Sequence, residues 1–191
     1  MRSPALLLIL AALLLPLPAS PAEGQELVGV PAPPLRLPLW LNSPPLEMDA
    51  LRGKVVLIRW WTDGCSLCSS TAPALLGLQQ EYAGRGLQLI GVFHPKPAGP
   101  ASLARVRGAA EKLGFRFPIA VDPDWKALHR WWLDQGPRAF TSVAFLVDKK
   151  GIIRYVHGGG EFHQAGGQPE HQSCRRDFQQ IHTAIRLLLA E

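Results

Sequence analysis

The sequence is poor in cysteine and in charge. Only three cysteines occur in 191 residues, and 18% of the residues are charged. The first two cysteines have no matching second pair, only Cys174 and scattered histidines, so a zinc site of two ligand pairs is not predicted. No internal repeat or low-complexity tract is present, and 47% of the residues are apolar. This composition is typical of one globular α/β domain.

The positive charge is not clustered. The formal net charge is +5, and the lysines and arginines are scattered along the chain. A nucleic-acid-binding surface normally concentrates basic residues on one face or in one run. We therefore predict no nucleic-acid partner.

No apolar run is long enough to predict a stable membrane span. Arg2 precedes an apolar stretch (residues 5–17) that is interrupted by Pro16 and followed by small residues. A spanning helix needs about 20 apolar residues, whereas this pattern predicts a secretory signal peptide over residues 1–22. No cysteine lies near the cleavage point, so a lipid anchor is not predicted. We expect a secreted or periplasmic protein in an oxidising compartment.

The remaining chain divides into a lead-in and a main domain. Residues 23–50 are rich in proline and leucine and are expected to form an extended lead-in with one or two edge strands. Residues 51–191 are expected to form the main domain. Its predicted strands are 54–61, 87–93, 117–122, 142–148 and 152–157, and its predicted helices are 66–82, 101–113, 124–133 (capped by Asp122 or Asp124) and 174–189.

The order of these elements predicts the sheet. The first strand, helix and strand predict a right-handed parallel crossover. The short polar loop Lys149-Lys150-Gly151 predicts an antiparallel hairpin between the last two strands. Together they predict a mixed central sheet with helices on both faces.

Two cysteines lie where the first core strand meets its helix, in "RWWTDGCSLCSSTAP". Cys65 is predicted at the helix N-terminus, where unpaired N–H groups and the helix dipole favour a thiolate. Cys68, one turn further on, lies within disulfide reach of Cys65. A thiolate is the attacking species in disulfide exchange. We therefore predict that Cys65 attacks and Cys68 resolves, with a structural disulfide or two inert thiols as the alternative.

These features resemble a known family. The segments "VVLIRWWTDGCSLC" and "FLVDKKGIIRYVHGG", with Pro73 five residues after the second cysteine, resemble the secreted thiol-disulfide oxidoreductases of the TlpA and ResA type, which are related to redoxins and peroxiredoxins. The resemblance covers about residues 27–190. It implies a thioredoxin-like α/β fold and an enzyme that exchanges disulfides with protein or small-molecule thiols. It further implies an electron-donating or electron-accepting partner protein and no cofactor. The count of available ligands predicts no bound metal.

The predicted substrate groove departs from that family. Ser142 occupies the position of a cis proline that faces the active-site cysteine in the family and shapes the groove. A cis bond before a residue other than proline costs about 2.5–4 kcal/mol, so we predict a trans bond before Ser142. We expect Trp61, Thr62, Gly64 and Ser142 to line the groove.

A second departure concerns acid-base groups. The resembling family often has a buried carboxylate under the cysteines, at positions that here hold Arg59 and Thr71. An arginine near the thiols would favour the thiolate. Long arginine side chains usually extend their charged end to water, so we expect Arg59 to reach solvent from its strand.

The third cysteine belongs to an apolar pattern. Cys174, Phe178, Ile181, Ile185 and Leu188 recur at helical spacing, so Cys174 is predicted on the buried face of the last helix. The alternative is that Cys174 is a second resolving thiol or a metal ligand together with His171. On the first interpretation, the purified protein carries no stoichiometric zinc or copper.

Two other functions compete with disulfide exchange. Thr62 lies three residues before Cys65, as in the TxxC part of a peroxiredoxin site, but Ile58 stands where that site has proline. A non-enzymatic copper-binding protein of the Sco type would have a CxxxC motif and a histidine before the hairpin. This chain has CxxC, with Phe140 and Thr141 before the hairpin. We rank the peroxidase second and the copper-binding protein third.

Overall fold

The computed structural model of the protein describes residues 23–164 and 169–191. The predicted signal peptide, residues 1–22, lies outside the described residues. The strands are β1 (Leu39–Leu41), β2 (Val55–Trp61), β3 (Leu87–Phe93), β4 (Ile119–Val121), β5 (Ala144–Val147) and β6 (Ile153–His157), and the α-helices are α1 (Ser66–Tyr82), α2 (Leu103–Lys112), α3 (Lys126–Trp131) and α4 (Gln172–Ala190). No helix in this part of the chain is both long and apolar enough to cross a membrane.

The six strands form one mixed sheet in the order β1-β4-β3-β2-β5-β6. At its centre, β2 pairs in parallel with β3 and antiparallel with β5. The β5–β6 pair is an antiparallel hairpin, and β1 pairs with β4 at the opposite edge. The parallel crossover, the hairpin and the mixed sheet are therefore confirmed.

The two faces of β2 belong to two different cores. Successive side chains of a strand point to opposite faces of its sheet. Leu57 and Trp61 pack in the core formed with α1, α2 and α4, whereas Ile58 and Trp60 pack in the core formed with α3 and the lead-in. Helices thus cover both faces, as predicted, and β2 is buried along its whole length.

Helices α3 and α4 have the cap and the buried face that the sequence predicts. The Asp122 carboxylate accepts hydrogen bonds from the backbone N–H groups of Ala127 (3.1 Å) and Leu128 (2.7 Å) at the start of α3, so Asp122 supplies the predicted cap. On α4, the predicted apolar face is the buried face, formed by Cys174, Phe178, Ile181, Ile185 and Leu188.

Candidate functional site

The CxxC pair begins helix α1, directly after the central strand. Gly64 has φ 66°, in the left-handed region that favours glycine, and turns the chain from β2 into the helix. Cys65 is the N-cap residue, and its Sγ accepts a hydrogen bond from the Cys68 backbone N–H at 3.2 Å. The sulfur of Cys65 therefore lies at the positive end of α1.

The two thiols have unequal surroundings. Cys65 is partly exposed, whereas Cys68 is buried with 3% of its surface accessible. The Cys68 Sγ lies 3.5 Å from the Ser142 Oγ. Burial, and next a hydrogen bond with the Cys65 side chain, raise the pKa of Cys68, while the Ser142 hydroxyl opposes this rise. A substrate sulfur can reach Cys65 more readily than Cys68.

Three of the four predicted groove residues line one cavity. Trp61, Thr62 and Gly64 border a cavity of about 330 Å³ between the start of α1 and helix α2. Trp61 is 1% exposed and packs edge-on against Phe93 and Phe115. Its side chain therefore belongs to the packed core and forms the inner side of the cavity. The structure does not bring the fourth residue into this cavity.

Ser142 instead faces the buried cysteine. In residues 23–164 and 169–191 the Lys96–Pro97 bond is the only cis peptide bond, so the bond before Ser142 is trans, as predicted. The Ser142 hydroxyl is a hydrogen-bonding partner for the Cys68 sulfur. A proline side chain at this position would offer no such partner.

An ion pair fixes the turn before Cys65, and no local sequence signal indicates it. Arg105 of α2 donates two hydrogen bonds to the Asp63 carboxylate, at 2.8 and 2.9 Å. These bonds lower the pKa of Asp63. The parallel, two-pronged contact holds the turn against α2, across 42 positions of sequence.

The expectation that Arg59 reaches solvent is wrong. The residue is 1% exposed, because β2 is the central strand and is covered on both faces. Its Nη2 donates to the Gly160 carbonyl at 2.7 Å, and its guanidinium lies 5.3 Å from the centre of the Phe162 ring. Burial lowers the pKa of Arg59 to about 10, and the charges of Cys68 and Cys65 oppose this effect. Arg59 therefore remains a cation at neutral pH, and its charge interacts with both cysteines.

Arg59 also contacts a buried histidine that sequence reasoning missed. Its Nη1 lies 3.5 Å from His157 Nδ1, and His157 Nε2 lies 3.5 Å from the Asp177 carboxylate on α4. Burial lowers the pKa of His157, although Asp177 opposes this. Arg59, His157 and Asp177 therefore form a line of polar contacts that runs from the buried strand β2 to the partly exposed Asp177 carboxylate on α4.

Thr71 is the second position where the resembling family has a carboxylate, and it too is buried. Its Oγ1 donates to the Leu67 carbonyl at 2.8 Å and accepts the Phe162 backbone N–H at 3.3 Å. Arg59 and Thr71 thus both hold the segment after β6 against the cysteine helix. Neither supplies a carboxylate for proton transfer.

A second buried histidine lies beside the loop that carries Ser142. His94 follows β3, is 0% exposed, and its Nε2 lies 2.9 Å from the Thr141 Oγ1. Burial, and next the charge of Lys96, lower the pKa of His94 to about 4. His94 is therefore neutral at physiological pH.

We expect His94 to lower the free energy of unfolding in mild acid. The unfolded chain binds a proton below about pH 6.5, whereas folded His94 does so only near pH 4. The free energy of unfolding is therefore highest above pH 6.5 and decreases as the pH falls towards 4. About 2 kcal/mol is lost between pH 7 and pH 5. Urea unfolding at both pH values should show a smaller loss in a His94→Gln variant. An equal loss in both proteins would contradict this assignment.

Comparisons with known proteins agree with the architecture. Protein DipZ of Mycobacterium tuberculosis is 34% identical over 123 residues, which are 63% of this chain but 17% of DipZ. The thiol-disulfide oxidoreductase ResA of Bacillus anthracis is 26% identical over 113 residues, 59% of this chain and 60% of ResA. The chain thus spans a small fraction of the length of DipZ.

The chain is also similar to a solved structure and to a protein family. A thiol:disulfide interchange protein of the thioredoxin family from Chlorobium tepidum superimposes with a TM-score of 0.60 at 18% identity, over 83% of this chain and 95% of the other. This likeness shows the thioredoxin-like fold. The profile of the AhpC/TSA family matches residues 28–156. The chain therefore belongs to the AhpC/TSA family and has a thioredoxin-like fold.

Proposed function

We propose that the protein is an exported thiol-disulfide oxidoreductase whose Cys65 and Cys68 exchange disulfides with protein or small-molecule thiols. The arrangement of the pair carries this proposal: an accessible Cys65 at the N-terminus of α1, with a buried Cys68 one turn further on. The family and the name of ResA support the class of reaction. Export is supported by the signal-like pattern of residues 1–22.

The exchange proceeds in two steps. The Cys65 thiolate attacks one sulfur of a substrate disulfide, which breaks that S–S bond, forms a mixed disulfide and releases one substrate thiol after protonation by water. Cys68 then loses its proton and attacks the Cys65 sulfur. This attack forms the Cys65–Cys68 disulfide and releases the second substrate thiol. Two electrons pass to the substrate, a redox partner protein restores them, and the same steps in reverse oxidise a dithiol.

The second step needs help, because burial raises the pKa of Cys68. Three groups oppose this rise in pKa. The Ser142 hydroxyl, a hydrogen bond with the Thr62 backbone and, last, the Arg59 cation all favour the Cys68 thiolate. Where the resembling family has a buried carboxylate, this chain has the buried Arg59 cation, which stabilises the Cys68 thiolate electrostatically.

A peroxidase is the second candidate, and family membership and Thr62 favour it. The Thr62 Oγ1, however, donates to the Asp63 carboxylate at 3.4 Å. Ile58, at the position of the peroxiredoxin proline, is 0% exposed in the core on the α3 side. The surroundings of Cys65 therefore favour disulfide exchange over peroxide reduction.

Peroxide discriminates between the two. Reduced Cys68→Ser protein is mixed with hydrogen peroxide, and separately with oxidised glutathione. We expect rapid formation of a glutathione adduct at Cys65 and slow formation of sulfenic acid, as measured by mass spectrometry over time. Rapid sulfenic acid formation without adducts would overturn the proposed function and place the peroxidase first.

A further inference from the structure

Four potential metal ligands lie together outside the CxxC pair. Glu161 and His163 belong to the segment after β6, and His171 and Cys174 lie at the start of α4. Each side chain offers one ligand atom, and the four atoms all lie within 4.8 Å of one another. Of these four residues, the sequence pattern indicates only Cys174 and His171 as possible metal ligands.

The separations are close to those that a tetrahedral ion imposes. The Glu161 Oε1 lies 3.7 Å from His171 Nδ1, 3.9 Å from His163 Nε2 and 3.7 Å from the Cys174 Sγ. Zinc bonds of about 2.0–2.3 Å at tetrahedral angles give ligand-to-ligand distances of roughly 3.3–3.8 Å. No two of the four atoms are more than 4.8 Å apart, so they need to approach by at most about 1.5 Å to hold such an ion.

Burial and unmet hydrogen bonding distinguish this group from an ordinary surface cluster. Cys174 is 8% exposed and His163 is 9% exposed. The Nδ1 atom of His171 is buried and has no hydrogen-bond partner, although it faces the Glu161 carboxylate. A buried nitrogen in this state costs free energy that a metal bond would recover. The His163 backbone N–H also donates to the Cys174 carbonyl at 3.4 Å, which links the two halves of the group.

We propose that Glu161, His163, His171 and Cys174 bind one Zn²⁺ ion in a structural site. One thiolate, two imidazoles and one carboxylate suit zinc, whereas magnesium and calcium prefer oxygen ligands. Four protein ligands complete a tetrahedral shell and leave no position for a substrate. On binding, the Cys174 thiol releases its proton to solvent and the histidines bind as neutral imidazoles. Cys174 is then a metal ligand together with His171, which is the alternative interpretation of the sequence, and the expectation of a metal-free protein is wrong.

The site has an entry route and a connection to the cysteines. A cavity of about 550 Å³, bordered by His163, His171 and the Pro73 region of α1, gives an ion access from solvent. Phe162 lies between Glu161 and His163 in the sequence. Its ring contacts the Arg59 guanidinium, and its backbone N–H donates to the Thr71 hydroxyl. A bound ion therefore fastens to α4 the segment that packs on Arg59.

Cobalt provides the test, because it reports both stoichiometry and sulfur ligation. Co²⁺ is titrated into the purified Cys65→Ser/Cys68→Ser protein, in which the CxxC pair cannot bind. We expect one Co²⁺ per chain, with tetrahedral visible bands and a sulfur-to-cobalt charge-transfer band, all displaced by Zn²⁺. Adding Cys174→Ser removes the charge-transfer band, and adding His171→Gln weakens binding by at least about tenfold.

Two controls keep the test decisive. His129 is a half-exposed histidine paired with Asp134, so adding His129→Gln leaves the cobalt spectrum unchanged. Circular dichroism verifies that each variant is folded, and Zn²⁺ raises the unfolding temperature of the parent but not of the His171→Gln protein. If the folded parent binds neither ion, or if the charge-transfer band survives in Cys174→Ser, the proposal is overturned and the group is a hydrogen-bonded cluster around Glu161.

Discussion

A Cys68→Ser variant is expected to accumulate as a mixed disulfide with its substrates. Cys65 at the N-terminus of α1 remains accessible and attacks, but no second thiol resolves the adduct. After incubation with an extract of its own compartment, non-reducing gels should show adducts that disappear with a reductant. Mass spectrometry should place the linkage at Cys65 in nearly all of the adducts.

The matched variants separate the three thiols. Cys65→Ser should trap nothing and should reduce disulfide turnover to the uncatalysed rate, since buried Cys68 cannot replace it. Cys174→Ser should lose a modest amount of stability and retain turnover. Adducts in Cys65→Ser, or lost turnover in folded Cys174→Ser, would contradict the assigned roles.

An Arg59→Met variant is expected to have a more negative reduction potential. The Arg59 charge stabilises thiolates, which exist only in the reduced protein, so its removal destabilises the reduced state. For this two-electron couple a change of 1.4 kcal/mol corresponds to about 30 mV. We expect a shift of roughly this size, together with slower resolution by Cys68, measured by equilibration with glutathione and by stopped-flow kinetics.

The fold should survive this substitution. Arg59 is a buried cation whose Nε has no hydrogen-bond partner, and replacing a buried charge with an apolar side chain of similar volume is often tolerated. Arg59→Lys is the matched control, because it retains the charge but loses the planar contacts with Gly160 and Phe162. A folded Arg59→Met protein with an unchanged potential would show that the cation does not act on the thiols.

Local patterns predicted the elements that carry the cysteines. Helix α1 and strand β3 have the predicted bounds, because a continuous apolar run and a helical run are each properties of the segment itself. The N-cap position of Cys65 followed from the same boundary. The exposure of Arg59 was mispredicted, because it depends on strand order: β2 lies between β3 and β5, and helices return to both faces.

Contacts between distant segments lacked any local signal. The Asp63–Arg105 pair joins residues 42 positions apart, and the Arg59–His157 contact joins residues 98 positions apart. Glu161 and His163 lie in a segment with no periodic pattern, so their approach to Cys174 depends on where α4 packs. Ser142 could be placed near the cysteines only through the family resemblance.

The reduction potential of the Cys65/Cys68 couple tests the central claim most directly. Wild-type protein is equilibrated with glutathione buffers, its thiols are trapped with acid, and the disulfide is mapped by mass spectrometry. We expect a reversible two-electron transition in which one disulfide forms between Cys65 and Cys68 while Cys174 stays outside it. A potential near about −270 mV indicates a reductase, and a much higher value an oxidant. A protein that forms no reversible Cys65–Cys68 disulfide under any of these buffers would contradict the account.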